Sequence, residues 1–340
     1  MITMVFFLAC GKEDEYFIPE PKVIPEPDPV EETLPDPEGT QYATWIMIWD
    51  RSSETHWWNP NHTEGATIYV NGKWQSIDWK DNAQIDEYIE NLKEAGITIL
   101  ICDLTNGWGW LDDKVQYIQT LCAKNGMKLC VAENSQGDLS VFESRAIDVW
   151  NKFAKPSLTN GSTYLRKDGK PVIVCYSIRN WYNSYVRSTK SFTNKFSLVW
   201  ASGEDSNIDK WGWQLEPSVG SIPSTDGMFV TSAVKWNSTQ SQDWRKSLSF
   251  LDYNFLLVQQ NNPKYIIVGS YDDIHERNGW LVANTTNSIP GMQMRDKNGA
   301  ISTDAYFNRV KEWIKGSPTS TPGGYIQDGC YRVINRSTKK

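Results

Sequence analysis

The chain has 340 residues, a formal net charge of −7 and a sequence pI near 5.2. Hydrophobic residues make up 39% of it and charged residues 22%, which predicts a globular core and argues against a disordered chain. The acidic balance argues against a nucleic-acid-binding protein, which needs a basic face, while 17 Trp and 15 Tyr indicate surfaces that stack on flat polar ligands such as sugar rings.

The first ten residues, MITMVFFLAC, form an apolar run that is too short to span a bilayer. We interpret residues 1–10 as an export signal. Its end, Leu8-Ala9-Cys10, resembles the end of a bacterial lipoprotein signal, with Cys10 as the lipidated residue. The GKEDE sequence that follows resembles the acidic signal that sends Bacteroidetes lipoproteins to the cell surface. These resemblances imply a lipid anchor in the outer membrane, with the protein facing the extracellular side.

Residues 11–41 are expected to be a linker rather than a folded unit. Residues 16–40 are rich in Pro and Glu, so the chain is stiffened toward polyproline II and its like charges repel. Such a segment predicts a spacer that holds a domain away from the membrane. The folded domain is then expected over residues 42–316.

Apolar runs that are typical of buried strands alternate with helical patterns along this domain. The predicted strands are Thr44–Trp49, Ile97–Cys102, Met127–Ala132, Pro171–Tyr176, Phe196–Trp200, Met228–Thr231, Tyr265–Gly269 and, more weakly marked, Gly291–Met294. The predicted helices are Asn82–Glu94, Val115–Lys124, Val141–Phe153, Gln242–Gln259 and Thr303–Ile314. Gly96 and Asn125-Gly126 act as stop signals for the first two helices.

This alternation predicts an α/β protein with a parallel sheet, and the number of units fits a (β/α)8 TIM barrel. A doubly wound open sheet is the alternative. No GxGxxG sequence follows the first strand and no GxxxxGK[ST] sequence occurs, so the nucleotide-binding versions of the open sheet are disfavoured.

Chemistry in a barrel takes place at the carboxyl ends of the strands, and polar side chains follow several of them here. Each of these residues could instead cap the helix that follows. The candidates at the strand ends are Asp50, Asp103, Glu133, Asn134, Tyr176, Trp200, Asp272, Asp273 and Glu276. Carboxylates among aromatic side chains are what glycoside hydrolysis requires, because one group protonates the leaving oxygen and another acts as base or nucleophile.

The strongest motif is YIIVGSYDDIHERNGW at residues 265–280. It resembles glycoside hydrolase families 71 and 99, in which a late barrel strand ends in an aromatic residue, Asn, a carboxylate, two further residues and Glu. Tyr271, Asp272, Asp273 and Glu276 take those places, and His275 matches family 99. The resemblance implies that Asp273 is the base or nucleophile-like carboxylate and that Glu276 is the general acid.

The chain departs from family 99 at two positions of this motif. Asp272 replaces the usual Asn, and Asp273 stands where family 99 has Glu and family 71 has Asp. Family 99 implies retention through neighbouring-hydroxyl participation, whereas family 71 implies inversion, and both stay open. A second stretch, RKDGKPVIVCYS at residues 166–177, resembles the family 99 segment in which a Gly-Lys-Pro turn leads into a strand ending in Tyr.

Aromatic residues near the strand ends are candidate walls of sugar subsites. The candidate substrate-binding aromatics are Trp57, Trp58, Trp108, Trp110, Trp200, Trp236, Tyr176 and Tyr271, to which Asp103, Glu133, Asn134, Asp272 and His275 are added as polar contacts. Trp211 and Trp213 are weaker candidates. Three His without HxH or HExxH spacing and six Cys without a CxxC pair predict neither a metal site nor a cofactor.

Residues 317–340 are expected to be a linker followed by the start of another module. The sequence DGCYRVINRS at residues 328–337 resembles the first strand of a ricin-type β-trefoil lectin. A short terminal strand with a basic end is the alternative.

The chain is therefore predicted to be a surface glycoside hydrolase, and the family resemblance implies endo-action on α-linked sugars. A non-catalytic surface glycan-binding protein is the alternative, and a carbohydrate esterase or lyase has no visible nucleophile. The expected partner is an oligo- or polysaccharide, with membrane contact only through the lipid anchor, and the chain is expected to be monomeric.

Overall fold

The computed structural model describes residues 36–48, 67–76, 78–105, 111–134, 139–157, 163–176, 192–201, 211–212, 226–230, 248–272, 279–280 and 304–316. The strands are β1 Gln41–Ile46, β2 Thr67–Val70, β3 Lys73–Ser76, β4 Ile99–Asp103, β5 Lys128–Glu133, β6 Arg166–Lys167, β7 Lys170–Cys175, β8 Ser197–Trp200, β9 Trp211–Gly212, β10 Gly227–Val230 and β11 Tyr265–Ser270. The helices are α1 Asn82–Ala95, α2 Leu111–Asn125, α3 Leu139–Val149, α4 Leu248–Gln260 and α5 Ala305–Lys315. A π-helical turn, Trp150–Ala154, and a last turn, Lys155–Ser157, continue α3.

The main sheet is mixed, with a parallel core in the order β8-β7-β5-β4-β1-β11-β10-β9. Strand β6 pairs antiparallel with β7 through a two-residue turn, in which Asp168 and Gly169 have φ values of 54° and 73°. Strands β4 and β10 are buried along their whole length, because the strands of a parallel sheet are covered on both faces. Strands β2 and β3 form a separate hairpin between β1 and α1.

A group of ionic contacts, which we call the N-terminal clasp, joins the starts of distant strands. Lys167 lies on β6, beside β7, and Asp226 directly precedes β10. Lys167 Nζ lies 3.2 Å from Asp226 Oδ2, although β7 and β10 are five steps apart in the sheet order. Lys264 Nζ donates to Asp36 at 2.8 Å, and the same carboxylate accepts the backbone N–H groups of Asp168 and Gly169 at 3.1 and 3.3 Å. Contacts across so many strands require the sheet to curl. The sheet therefore forms a half-barrel with helices.

Helix α1 shows how the sequence defines one of these elements. Asp81 accepts a hydrogen bond from the backbone N–H of Ala83 at 2.9 Å and caps the start of the helix. Gly96 ends it in a left-handed conformation, with φ 93°. Ile85, Ile89 and other apolar residues at helical spacing are buried. The periodicity and the stop signal at Gly96 predicted both ends of α1 to within one residue.

The predicted α/β class and parallel sheet are confirmed, and each of the seven well-marked predicted strands overlaps a strand of the sheet. The weakly marked strand at Gly291–Met294 lies outside the described residues. Strand β9 was not predicted, because two residues carry too little pattern, and its Trp211 was interpreted as a loop aromatic. Pairing between β8 and β9 is not seen in the described ranges, so closure into a complete (β/α)8 barrel stays a prediction.

The described segment that precedes β1 contacts the domain through Asp36, within the stretch expected to be a spacer. Burial alone would raise the pKa of Asp36, but the hydrogen bonds from Lys264, Asp168 and Gly169 outweigh it, and the pKa is lowered. In the part of the chain that the structure describes, none of the helices combines the length and apolar character needed to cross a membrane. The remaining linker, signal and C-terminal assignments lie outside the described residues.

Candidate functional site

The concave face of the half-barrel is identified by an aromatic contact between distant strands. The rings of Trp45 on β1 and Tyr176, which directly follows β7, meet edge to face with centroids 6.2 Å apart. Because β4 and β5 separate β1 from β7, the backbones of a flat sheet would lie about 14 Å apart there. The two rings therefore point to the inside of the curl.

Asp103 occupies the same face of the sheet. It ends β4 two residues beyond Ile101, which pairs with Trp45, so side-chain alternation places Asp103 and Trp45 on one face. The Asp103 side chain accepts hydrogen bonds from the backbone N–H and the hydroxyl of Thr105 at 2.8 and 2.7 Å. Burial raises the pKa of Asp103, and the hydrogen bonds from Thr105 and from the Trp45 indole partly oppose this. The result is a buried acid beside the Trp45 indole at the carboxyl end of the sheet.

Ser270 adds a second polar group beside Trp45. It pairs with Trp45 across a β-bulge in the β1–β11 ladder. Its hydroxyl oxygen is buried and has no hydrogen-bond partner within the described ranges. The sequence analysis did not select Trp45 or Ser270. Trp45 lies inside the predicted strand Thr44–Trp49 and Ser270 directly follows the predicted strand Tyr265–Gly269. Only the register of β1 with its neighbours shows that they belong to this surface.

Glu133 is placed differently from Asp103. It follows Ala132, the partner of Asp103, so alternation directs it to the opposite face of the sheet. There its Oε2 accepts a hydrogen bond from Arg145 Nε on α3 at 3.3 Å. Burial raises the pKa of Glu133 to about 8, with Arg145 opposing and the charges of Asp112 and Asp103 adding to the shift. The structure thus does not bring Glu133 and Asp103 together on one face, and a substrate contact for Glu133 stays a prediction.

The Arg145–Glu133 pair is the centre of a larger charged group between the sheet and the helices. Asp112, at the start of α2, is buried and pairs with Lys152 in the π-helical turn after α3. Arg145 Nη2 is buried without a hydrogen-bond partner among the residues that the structure describes. This group links α2, α3 and β5 behind the concave face.

The end of β11 is held tightly at the same edge of the sheet. The Tyr271 backbone N–H donates to the carbonyl of Trp45 at 2.8 Å, and Asp272 Oδ1 accepts from the backbone N–H of Met47 at 2.8 Å. Farther along the chain, the Trp280 backbone N–H donates to the Tyr271 carbonyl at 2.9 Å, and its indole donates to the Val268 carbonyl at 3.3 Å. The segment 273–278 thus leaves and rejoins the described structure at two fixed points beside β1.

The remaining predicted site residues divide into two groups. Asn134 directly follows β5, Trp200 pairs with Cys175 in the β7–β8 ladder, and Tyr271 is buried against Tyr88 and Trp280, away from the concave face. Outside the described residues lie Cys10, Asp50, Trp57, Trp58, Trp108, Trp110, Trp236, Asp273, His275 and Glu276. Their roles stay predictions.

The described residues do not include a cluster of His, Cys, Asp or Glu side chains that could hold a metal ion. Four cysteines of this part of the chain are buried free thiols: Cys102, Cys122, Cys130 and Cys175. Burial raises the pKa of each of these thiols. They behave as small apolar side chains of the core.

No protein-family model matches the chain, and no curated protein matches it. Among solved structures it is similar to the endo-alpha-mannosidase of glycoside hydrolase family 99 from Bacteroides thetaiotaomicron. The structure of that enzyme in complex with BIS-TRIS-Propane matches with a TM-score of 0.59 and 14% sequence identity. The match covers 81% of this chain and 96% of the enzyme chain. A second structure of this enzyme has a TM-score of 0.60 at 12% identity, with the same coverage. At such identities the similarity concerns the fold, and the chain therefore has a fold like that of the family 99 glycoside hydrolases.

Proposed function

We propose that the chain is a glycoside hydrolase that cleaves a glycan at the bacterial cell surface, with Asp273 and Glu276 as its catalytic acids. The observation that carries the proposal is the fixed end of β11 at the carboxyl edge of the sheet. Asp273 directly follows Asp272, which is held by the Met47 N–H beside the concave face. Consecutive Cα atoms are about 3.8 Å apart, so the fixed position of Asp272 supports the proposal that Asp273 acts at this edge.

The chemistry needs two carboxyl groups with separate tasks. Glu276 as general acid protonates the leaving glycosidic oxygen, and Asp273 acts as base or nucleophile on the other side of the bond. Two carboxyl groups that repel each other in a partly buried site keep one of them protonated near neutral pH. The concave face supports this proposal, because the partly exposed ring of Tyr176 suits stacking on a sugar. That ring contacts the buried Trp45, which lies beside the buried acid Asp103.

The substrate class of the proposal is α-linked glycans, and cleavage inside the chain is preferred over cleavage at its end. The similar solved enzyme is described as an endo-alpha-mannosidase, and the YDDIHE sequence resembles families 71 and 99. The stereochemical outcome is open between retention and inversion, and the anomeric configuration of the first product would decide it.

The test is a product screen by mass spectrometry on α-mannans, α-glucans and host or plant glycans. The wild type is expected to release new oligosaccharides, whereas Asp273→Asn and Glu276→Gln are expected to release none and to keep their folding and glycan affinity. The control is Glu94→Gln, which changes an exposed carboxylate on α1 that pairs with Lys311. Wild-type rates in either acid variant would remove that residue from the mechanism.

A non-catalytic surface glycan-binding protein is the second candidate, because aromatic rings and buried acids also suit sugar binding. The same screen separates the two functions. Glycan binding by the wild type in affinity gels, without products from any glycan, would favour the binding protein.

The proposal places the chain in the outer membrane, anchored by a lipid on Cys10 and facing outward. Support comes from the LAC sequence at residues 8–10 and the acidic residues after it. A Cys10→Ser variant is expected to lose the membrane fraction and its accessibility to protease on intact cells. An unchanged distribution would contradict the anchor.

A further inference from the structure

Tyr88 places a buried hydroxyl next to the segment that carries the proposed catalytic acids. It lies on α1 and is 1% exposed. Its ring meets the ring of Tyr271 edge to face, with centroids 4.8 Å apart and planes at 88°. On its other side it meets Trp79 at 4.8 Å and 64°. These two contacts hold the phenol ring against Tyr271, the residue that directly follows β11.

The Tyr88 hydroxyl is buried and makes no well-formed hydrogen bond among the described residues; its one weak contact is with the Asp272 carboxylate. A buried hydroxyl without a partner costs free energy, because its hydrogen bonds to water are lost on folding. Phenylalanine would fill the same space without that cost. A buried hydroxyl at this position is therefore expected to donate a full hydrogen bond to a neighbouring acceptor in some state of the protein.

Asp272 is such a neighbour. The Tyr88 ring contacts Tyr271, the residue before Asp272. Burial raises the pKa of Tyr88 most, and the charges of Asp272 and Tyr271 and a weak hydrogen bond to the Asp272 carboxylate raise it further. Asp272 is 3% exposed, and its Oδ1 accepts the Met47 N–H at 2.8 Å. A carboxylate accepts several hydrogen bonds, so this contact leaves capacity for a phenol. Hydrogen bonds of active sites are often long in the free enzyme and shorten when substrate binds.

The geometry points to Tyr88 as a positioning residue of the hydrolase: with substrate bound, its hydroxyl donates to Asp272 and sets the start of the segment that carries Asp273 and Glu276. This inference rests on the proposed function. Tyr88 acts through Asp272 and does not contact the substrate. The Tyr271 and Trp280 contacts hold the two ends of the segment, and the Tyr88 hydroxyl adds a directional constraint at the residue next to Asp273.

The chain offers a matched control for the loss of a tyrosine hydroxyl. Tyr117, on α2, donates to Asp86 on α1 at 2.7 Å in an exposed position. Tyr117→Phe therefore removes the same group and breaks a real Tyr–Asp hydrogen bond on the surface. Tyr88→Phe removes a hydroxyl that makes only a weak contact, with Asp272, in the described structure.

The test is the hydrolysis of the glycan that the product screen identifies, with kcat, KM, the pH profile and the melting temperature measured for both variants. Tyr88→Phe is expected to lower kcat about tenfold while KM and the melting temperature stay near the wild-type values, since misplacing a catalytic group slows the reaction more than it weakens binding. Tyr117→Phe is expected to keep wild-type kinetics. In an Asp272→Ala background, Tyr88→Phe is expected to lower kcat no further.

Three outcomes would overturn the inference. Wild-type kcat in Tyr88→Phe would show that the hydroxyl plays no part, and an equal loss in both backgrounds would show that it does not act through Asp272. Failure of the wild type to cleave any glycan would contradict the proposed function and this inference together. Wild-type cleavage with an unaffected Tyr88→Phe variant would contradict this inference alone.

Discussion

Trp45 and Tyr176 touch edge to face at 6.2 Å although three strand steps separate β1 from β7. This contact places both rings on the inside of the curled sheet and brings Asp103, on the strand between them, onto the same surface. An aromatic pair with a carboxyl group on the same surface suits a sugar ring, which needs an apolar stacking partner and a hydrogen-bonding group.

Asp103→Asn tests whether this surface is part of the active site. The amide keeps the shape and still accepts the hydrogen bonds from Thr105, so we expect a melting temperature within a few degrees of the wild type. If Asp103 bonds the sugar more strongly in the transition state, kcat/KM on the cleaved glycan falls about 10- to 1,000-fold, as for the loss of one charged contact. Unchanged kcat/KM would remove Asp103 from the site.

Glu133 predicts an unusual pH dependence of stability. Its folded pKa of about 8 lies above the ordinary value of 4.5, so folding retains a proton that the unfolded chain releases between these values. The contribution is complete below about pH 4.5 and is lost as the pH rises to about 8, on the order of 5 kcal/mol. We expect Glu133→Gln to flatten the free energy of unfolding between pH 5 and pH 8.5 in urea titrations. Glu94→Gln is the control, and the same slope in both variants would contradict the assignment.

Gly96 and Gly126 form a matched pair for the packing of α1 against α5. Both have positive φ, 93° and 69°, so alanine strains the backbone at each. An added Cβ at Gly96 would lie 2.6 Å from Ile314 Cγ2, whereas nothing lies within 4 Å at Gly126. We expect Gly126→Ala to lower the free energy of unfolding by about 1 kcal/mol and Gly96→Ala by at least twice as much. Equal losses of unfolding free energy in the two variants would show that Ile314 on α5 moves aside at little cost.

The N-terminal clasp predicts a stability contribution from the segment before β1. The hydrogen bonds of Asp36 lower its pKa, so the contribution is present above about pH 4 and is lost as the pH falls through the folded pKa. Because Asp36 is partly exposed, we expect Asp36→Asn to cost less than about 1 kcal/mol at pH 7, and the difference from wild type to shrink below pH 4. Asp86→Asn, on the exposed face of α1, is the control, and a difference that is constant with pH would contradict the clasp.

The strands and helices followed largely from local patterns. The runs around Ile101, Val131 and Val268 are apolar, as expected for strands covered on both faces. The apolar periodicity and the stop signal at Gly96 bounded α1 to within one residue. The start of α2 was predicted late, at Val115 instead of Leu111, because its first turn carries Asp112 and Asp113, which lack apolar periodicity but suit the positive end of a helix dipole. Strand β9 and the β2–β3 hairpin were too short or too polar to be recognised.

By itself, the sequence determined the alternation of strands and helices and the place of the YDDIHE segment at the end of β11, because periodicity and chain order are local properties. Only the tertiary structure decided which side chains share a surface. Asp103 and Glu133 both end strands and look alike in sequence, yet a one-residue difference in register sends them to opposite faces of the sheet. The proposed site also includes Trp45, Ser270 and Tyr88. They lie near it only because the sheet curls and because Tyr88 of α1 packs on Tyr271, directly after β11. These contacts depend on residues that are far apart in the chain.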